Sequence, residues 1–247
     1  MLQNLLISIL FRCPACNHSS ESRSFPYCTA CIDSLTPCPP LCKNCASPAC
    51  IATSQLSCSR QWIKNDLIDS FHAGYVLAGP GYKVLKRWKV RHGIFSDKRI
   101  LKVLDTFCIK LQKLNIQAII PMPQKFKRSW AIGGSPAEKI AHTISKKSKI
   151  PLMTALKICP STTQGKRQAE LSQIDRIQNK LNFSVASSEI DRPISDILLV
   201  DDFMTTGHTL RQAAHVLKIS NAGKIHVFCL GIRLDQAQQH THLGYCT

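Results

Sequence analysis

Residues 196–209 read DILLVDDFMTTGHT, and this stretch decides the fold. Ile197-Leu198-Leu199-Val200 is an unbroken apolar run of the kind that fills a central parallel strand covered on both faces. Asp201 and Asp202 stand where the run stops, followed by a turn rich in hydroxyls, Thr205-Thr206-Gly207-His208-Thr209. Beyond it Leu210, Ala213, Ala214 and Leu217 recur at i, i+3, i+4 and i+7, which predicts a helix with one buried face. Lys218 and Gly223 suit its end, and Ile225–Leu230 reads as the next strand. Strand, loop, helix and strand form a βαβ unit whose ligand edge is the loop.

The loop's side chains say what such an edge could hold. A helix N-terminus presents unpaired amide donors and a positive dipole end. Hydroxyls on Thr205, Thr206 and Thr209 add donors around it, and Gly207 lets the backbone approach an oxygen closely. Asp201 and Asp202 are acceptors only, suited to the vicinal hydroxyls of a ribose or to an associated divalent cation. Phosphate on one side and diol on the other describe a ribose 5-phosphate. An acidic pair of another doubly wound fold, followed by an ordinary capped helix, is the plainer alternative. VDDFMTTGHT resembles the phosphoribosyl-pyrophosphate loop of type I phosphoribosyltransferases. The resemblance implies that Asp201 and Asp202 hold the ribose while Thr205, Thr206, Gly207, His208 and Thr209 hold the 5-phosphate.

Upstream, Gln117-Ala118-Ile119-Ile120-Pro121-Met122-Pro123-Gln124-Lys125-Phe126-Lys127-Arg128 reads as a short buried strand ending in a proline-stiffened basic loop. In the type I fold a loop at the neighbouring strand end grips pyrophosphate, so Lys125, Lys127 and Arg128 are the candidates here by charge. By itself the segment would be a solvated turn.

The cysteines divide the chain. Nine of 13 fall between Cys13 and Cys58, a density that in a reducing compartment points to metal rather than disulfides. Cys13-Pro-Ala-Cys16 and Cys28-Thr-Ala-Cys31 are two Cys-x-x-Cys knuckles separated by eleven residues. Facing each other, they complete the tetrahedral sulfur shell of a closed structural zinc site. A third knuckle, Cys42-Lys-Asn-Cys45, has Cys38, Cys50 and Cys58 nearby, so a second site built on Cys42 and Cys45 with partners such as Cys50 and Cys58 is a further candidate. A segment with so few core residues would draw much of its folding free energy from the metal.

With these elements in place, the chain resembles the ComF family, in which a cysteine ribbon precedes a phosphoribosyltransferase-like domain. The likeness runs through the early knuckles, YVLAGPGYKVLKRWK at 75–89, the proline loop, and Gln168, Leu171-Ser172, Arg176, Asn179 and Phe183. It implies that Gln168, Arg176 and Asn179 order a flexible loop over the substrate; a solvated helix burying Leu171, Ile174, Ile177 and Leu181 explains the same spacing. Where the family carries Arg-Gly-Phe-Asn-Gln after the proline loop, this chain has Ile132-Gly133-Gly134-Ser135-Pro136, losing an arginine and two amides. The expected architecture is a zinc ribbon over residues 1–59 and an α/β, type I phosphoribosyltransferase-like domain with a mainly parallel central sheet over 60–247.

Charge is regional. Residues 60–130 hold 15 Lys and Arg against 4 Asp and Glu, whereas 191–247 are balanced at 5 against 5, so one part of the surface suits a polyanion or a phosphorylated small molecule. Residues 1–11, MLQNLLISILF, fall short of the ~20 residues that span a bilayer and carry neither a basic start nor a cleavage motif, which predicts a cytoplasmic protein with no transmembrane segment. Family likeness further implies natural transformation, with transforming single-stranded DNA handled alongside other competence proteins. Lys83, Lys86, Arg87, Lys89, Arg91 and His92, with Tyr82 and Trp88 among them, could attract a sugar-phosphate backbone; Tyr82, Leu85 and Trp88 at helical spacing also fit a core face. Three functions fit these residues. One is an active phosphoribosyltransferase in nucleotide metabolism, with Mg²⁺ on the leaving pyrophosphate. Another is a binding protein that keeps the phosphoribosyl cradle, and the third is a nucleic-acid-binding ribbon on a degenerate fold.

Overall fold

The structure is a computed structural model, and the residues described are 12–18, 27–42, 46, 67–91, 98–124, 135–159, 183–186 and 196–233. Within them the elements are α1 (Thr29–Asp33), β1 (Thr36–Pro37), β2 (Ser70–Val76), α2 (Gly79–Arg91), α3 (Lys98–Leu111), β3 (Ala118–Pro121), α4 (Pro136–Ser148), β4 (Leu156–Ile158), β5 (Phe183–Val185), β6 (Asp196–Met204), α5 (His208–Ile219) and β7 (Lys224–Ile232). The apolar stretch 1–11 lies outside them, as do the side chains of Trp88, Lys89 and Arg91 and the whole of His92.

Five strands form one sheet in the order β1-β2-β7-β6-β3. The pairs β2–β7, β7–β6 and β6–β3 are parallel, and β1 adds antiparallel to the outer edge of β2. Ile197, Leu198, Leu199 and Val200 are all fully buried, as a four-residue apolar run between two parallel neighbours requires. Leu198 and Val200 face a core shared with α3 and α4, while Ile197 and Leu199 face α5 and the β4–β5 pair. In α5 the expected positions Leu210, Ala213, Ala214 and Leu217 are the buried ones, joined by Val216. Helix α4 starts at Ser135, whose N–H donates to Glu138 Oε2 at 3.1 Å, one half of a capping box, with Pro136 at the first turn.

Two elements depart from what periodicity suggests. The strand expected to stop before the acidic pair continues to Met204, because β7 is long enough to keep pairing with it as far as Ile232. Among the described side chains of α2 the buried ones are Val84 and Leu85, whereas Tyr82 is 37% exposed beside the exposed Lys83, Lys86 and Arg87. Tyr82 therefore belongs to the charged face and not to the core.

The first cysteine segment is packed onto this body. Cys13, Tyr27, Cys31, Ile32 and Leu35 share one core cluster with Val84 and Leu85 of α2 and with Leu104 of α3. Contact is close enough that a Cβ at Gly81 would stand 2.6 Å from the Ser34 carbonyl oxygen. Gly81→Ala is therefore expected to push α2 off the ribbon and cost about 1–3 kcal/mol, read as a lowered urea midpoint.

Between β2 and β7, Ser70 Oγ bridges His72 Nε2 at 2.9 Å and His226 Nδ1 at 2.7 Å. Burial, followed by repulsion from His226 and Lys110, brings His72 down to about 4, and burial lowers His226 as well. Unfolded histidines titrate near ~6.5. Between that pH and about 4 the unfolded chain takes up a proton that native His72 refuses, so stability falls as pH falls. Urea midpoints at pH 7.5 and 5.0 should show this loss, and His72→Gln should reduce it.

Candidate functional site

The acidic pair sits at a step in the sheet edge. β3 pairs with β6 only as far as Pro121 opposite Val200, with one more bond from Met122 N–H to Val200 O at 2.8 Å. On the other side β7 continues, Asp201 opposite Cys229 and Phe203 opposite Gly231, and Arg233 N–H still reaches Met204 O at 2.8 Å. In a parallel strand the amides of residues i and i+2 point to the same neighbour, so the Asp202 N–H points past the end of β3. Asp201 Oδ1 accepts it at 2.8 Å, and Asp202 Oδ1 accepts the Phe203 N–H at 2.6 Å. Both carboxylates are thus tied to a rigid strand. Asp202 is 9% exposed and Asp201 is half-buried.

Five residues after Asp202, Gly207 turns the chain with φ 72°, a left-handed conformation that glycine adopts without strain, and Arg211 N–H closes the first helical bond to its carbonyl. As the N-cap, Gly207 supplies no side-chain acceptor, so the amides of the first turn of α5 are left for water or a ligand. Thr205, Thr206, His208 and Thr209 are exposed around this turn. Acidic pair and hydroxyl turn are consecutive on one strand–helix junction at the carboxyl edge of the parallel sheet, the edge where open α/β sheets bind ligands.

Beneath the pair, Cys229 is fully enclosed. Burial and then the carboxylates of Asp201 and Asp202 push its thiol well above the usual range, so it stays protonated and serves as a filler rather than a nucleophile.

The chain leaving β3 arrives at the same edge. Gln124, the last described residue of that loop, has its side-chain oxygen buried with no hydrogen-bond partner among the described residues. A buried amide oxygen accepts only, so what it calls for is a hydrogen-bond donor. Charge alone picks Lys125, Lys127 and Arg128 and passes over Gln124, whose only signal is its position after Pro121-Met122-Pro123. Lys125, Lys127 and Arg128 lie outside the described residues, as do Gln168, Arg176 and Asn179.

A second cluster lies in the ribbon. The sulfurs of Cys13, Cys16, Cys28 and Cys31 all fall within 4.8 Å of one another, with Cys16 and Cys28 at 3.5 Å. A tetrahedral ion with bonds of ~2.3 Å needs sulfurs about 3.8 Å apart, so the four could hold a metal such as zinc. Asn17 in the left-handed region and the bond from its N–H to Cys13 O bend the first knuckle; Cys28 caps α1 and Cys31 lies within it, bending the second. Burial opposes ionisation of Cys13, but amides of Cys28, Cys16 and Ala15 outweigh it and bring the thiol down to about 6, while burial pushes Cys31 up. Of the second candidate site, Cys42 is buried and Cys45, Cys50 and Cys58 lie outside the described residues; Cys38 turns to the Pro39 carbonyl at 3.4 Å.

Residues 137–242, which contain the whole acidic step, match the phosphoribosyl transferase domain. Among solved structures, adenine phosphoribosyltransferase from Saccharomyces cerevisiae is 12% identical with a TM-score of 0.38, covering 60% of this chain and 76% of that one. Purine phosphoribosyltransferase from Pyrococcus horikoshii Ot3 is 18% identical with a TM-score of 0.33, covering 54% and 72%. By the match over residues 137–242 the chain carries a phosphoribosyl transferase-like domain, and it lies behind a cysteine cluster. Over 236 residues, 92% of its length and 93% of the relative's, it is 28% identical to Competence protein F of Haemophilus influenzae. No described helix is long and apolar enough to cross a membrane.

Cys16→Ser removes one thiolate from the cluster. Bound metal, measured by elemental analysis of the purified protein, is expected to fall to well under half, with a lowered Tm.

Proposed function

We propose that this chain is a competence protein acting in the cytoplasm during natural transformation, which binds phosphoribosyl pyrophosphate or a related phosphorylated ribose at the Asp201–Thr209 junction. The observation that carries the reading is the sheet step: two carboxylates held in a rigid strand, followed without a break by an uncapped helix start ringed with threonines. Asp201 and Asp202 would accept the 2- and 3-hydroxyls of the ribose. Amides at the start of α5, with Thr205, Thr206, His208 and Thr209, would hold the 5-phosphate against the positive end of the helix. The basic residues of the loop after β3, Lys125, Lys127 and Arg128, would meet the pyrophosphate. The hard oxygens of Asp201 and Asp202 suit Mg²⁺, which, when bound with the ligand, would neutralise pyrophosphate charge.

Zinc is the ion we assign to Cys13, Cys16, Cys28 and Cys31, a saturated sulfur shell with no open position, and so a structural one. Residues 1–59 would then be the ribbon and 60–247 the phosphoribosyltransferase-like domain. Exposed Tyr82 beside Lys83, Lys86 and Arg87 supports contact with single-stranded DNA, by stacking and phosphate attraction. Competence protein F, similar along nearly the whole chain, supports the cellular role.

Calorimetry with phosphoribosyl pyrophosphate, with and without Mg²⁺, tests the site. Asp202→Ala is expected to weaken binding about tenfold or more while leaving metal content intact. Equal affinity in the variant would remove Asp202 from the site. Release of pyrophosphate in the presence of a nucleobase panel would instead mark an active transferase, and unchanged transformation frequency after gene deletion would defeat the competence role.

A further inference from the structure

A cavity of about 480 Å³ opens between the ribbon segment 32–41, helix α3 and strand β2, and none of residues 201–209 lines it. It is a seam between the cysteine segment and the sheet, of a size that suits a small organic molecule. Its ribbon wall is largely apolar, with Ile32, Leu35 and Leu41 beside Asp33, and Phe71 and Phe228 add aromatic surface from the sheet.

The opposite wall is charged. Arg99, Lys102, Val103, Thr106, Phe107 and Lys110 recur at spacings of three and four, so one stripe of α3 faces the cavity and carries three of its cations there. Asp33 is the one acid in the lining, and it is engaged by Arg99 at 3.1 Å across the mouth. Among the described residues no carboxylate pairs with Lys102 or Lys110. The remaining titratable groups near Lys110 stay neutral: burial holds His72 down to about 4 and pushes the Cys38 thiol up to about 12, and the Lys110 ammonium acts on both. Apolar surface therefore meets, at its mouth, two exposed ammonium groups without a carboxylate partner among the described residues.

We propose that this cavity binds a ring-bearing small organic anion, its apolar body against the ribbon and its charged group at Lys110, at a site separate from the acidic step. His72, its Nε2 already engaged by Ser70, and the Thr106 hydroxyl, which donates to the Lys102 carbonyl at 2.9 Å and can still accept, are among the uncharged polar groups that would orient the ring. Because Ile32 follows Cys31 directly, the site is assembled only when the ribbon is folded against the sheet.

The test uses the metal-loaded full chain and the aromatic sulfonate 1-anilinonaphthalene-8-sulfonate as probe. Titration is expected to saturate at about one equivalent, with Lys110→Gln weakening it about fivefold. Because Lys110 is exposed, that variant should keep its fold, checked by circular dichroism. In ¹⁵N-histidine spectra the probe should move His72 and leave His208, beside the acidic step, in place. Displacement by adenosine monophosphate would assign a nucleotide-like anion and displacement by benzoate an aryl carboxylate. Absence of saturable binding, unchanged affinity in Lys110→Gln, shifts at His208 in place of His72, or displacement by inorganic phosphate alone would each overturn the proposal.

Discussion

β6 and β7 stay hydrogen-bonded from Asp196–Lys224 to Met204–Ile232, whereas β3 releases β6 after Pro121. Everything at the candidate site depends on that mismatch of strand lengths. Had β3 run on, its backbone would occupy the side on which Asp201 now accepts an amide. Had β7 stopped early, the acidic pair would hang in a loop. As it is, the carboxylates inherit the rigidity of the sheet while one side stays open, the combination a binding constellation needs. The 207 turn inherits the same rigidity, since Met204 is still bonded to Arg233 just before it.

The ribbon depends on the same sheet from its other edge. Thr36 and Pro37 pair with Val76 and Tyr75, and the knuckle cysteines lie within the core cluster that α2 and α3 share. A short segment whose own apolar residues are few thus has two supports, sulfur ligation of an ion and burial against a larger body. Close approach at Gly81 shows how tightly the second is drawn. Farther along the seam packing is looser, and there the cavity under α3 appears.

Burial and charge are divided between the two places. At the sheet step two carboxylates are held over a thiol that cannot ionise; at the seam lysines face a histidine and a thiol kept neutral by desolvation. Neutral groups lie beneath and charged groups at the mouth, as expected where water reaches one end only. Of the Lys and Arg in 60–130, Lys83, Lys86 and Arg87 are exposed on α2, while Lys102 and Lys110, also exposed, line the mouth of the seam.

Much of this was legible in the residues. Period-3.6 burial in α5, the fully apolar start of β6 and the paired knuckles follow from local chemistry: a strand enclosed on both faces must be apolar throughout, and two Cys-x-x-Cys turns can close on one ion. Four matters were decided by tertiary contact. They are the continuation of β6 through Asp201 and Asp202, the exposure of Tyr82, the unpaired oxygen of Gln124, and the cationic stripe of α3 set against the ribbon. Each depends on which distant segment lies alongside, and a one-dimensional pattern records the preferences of a residue, not the identity or the length of its neighbour.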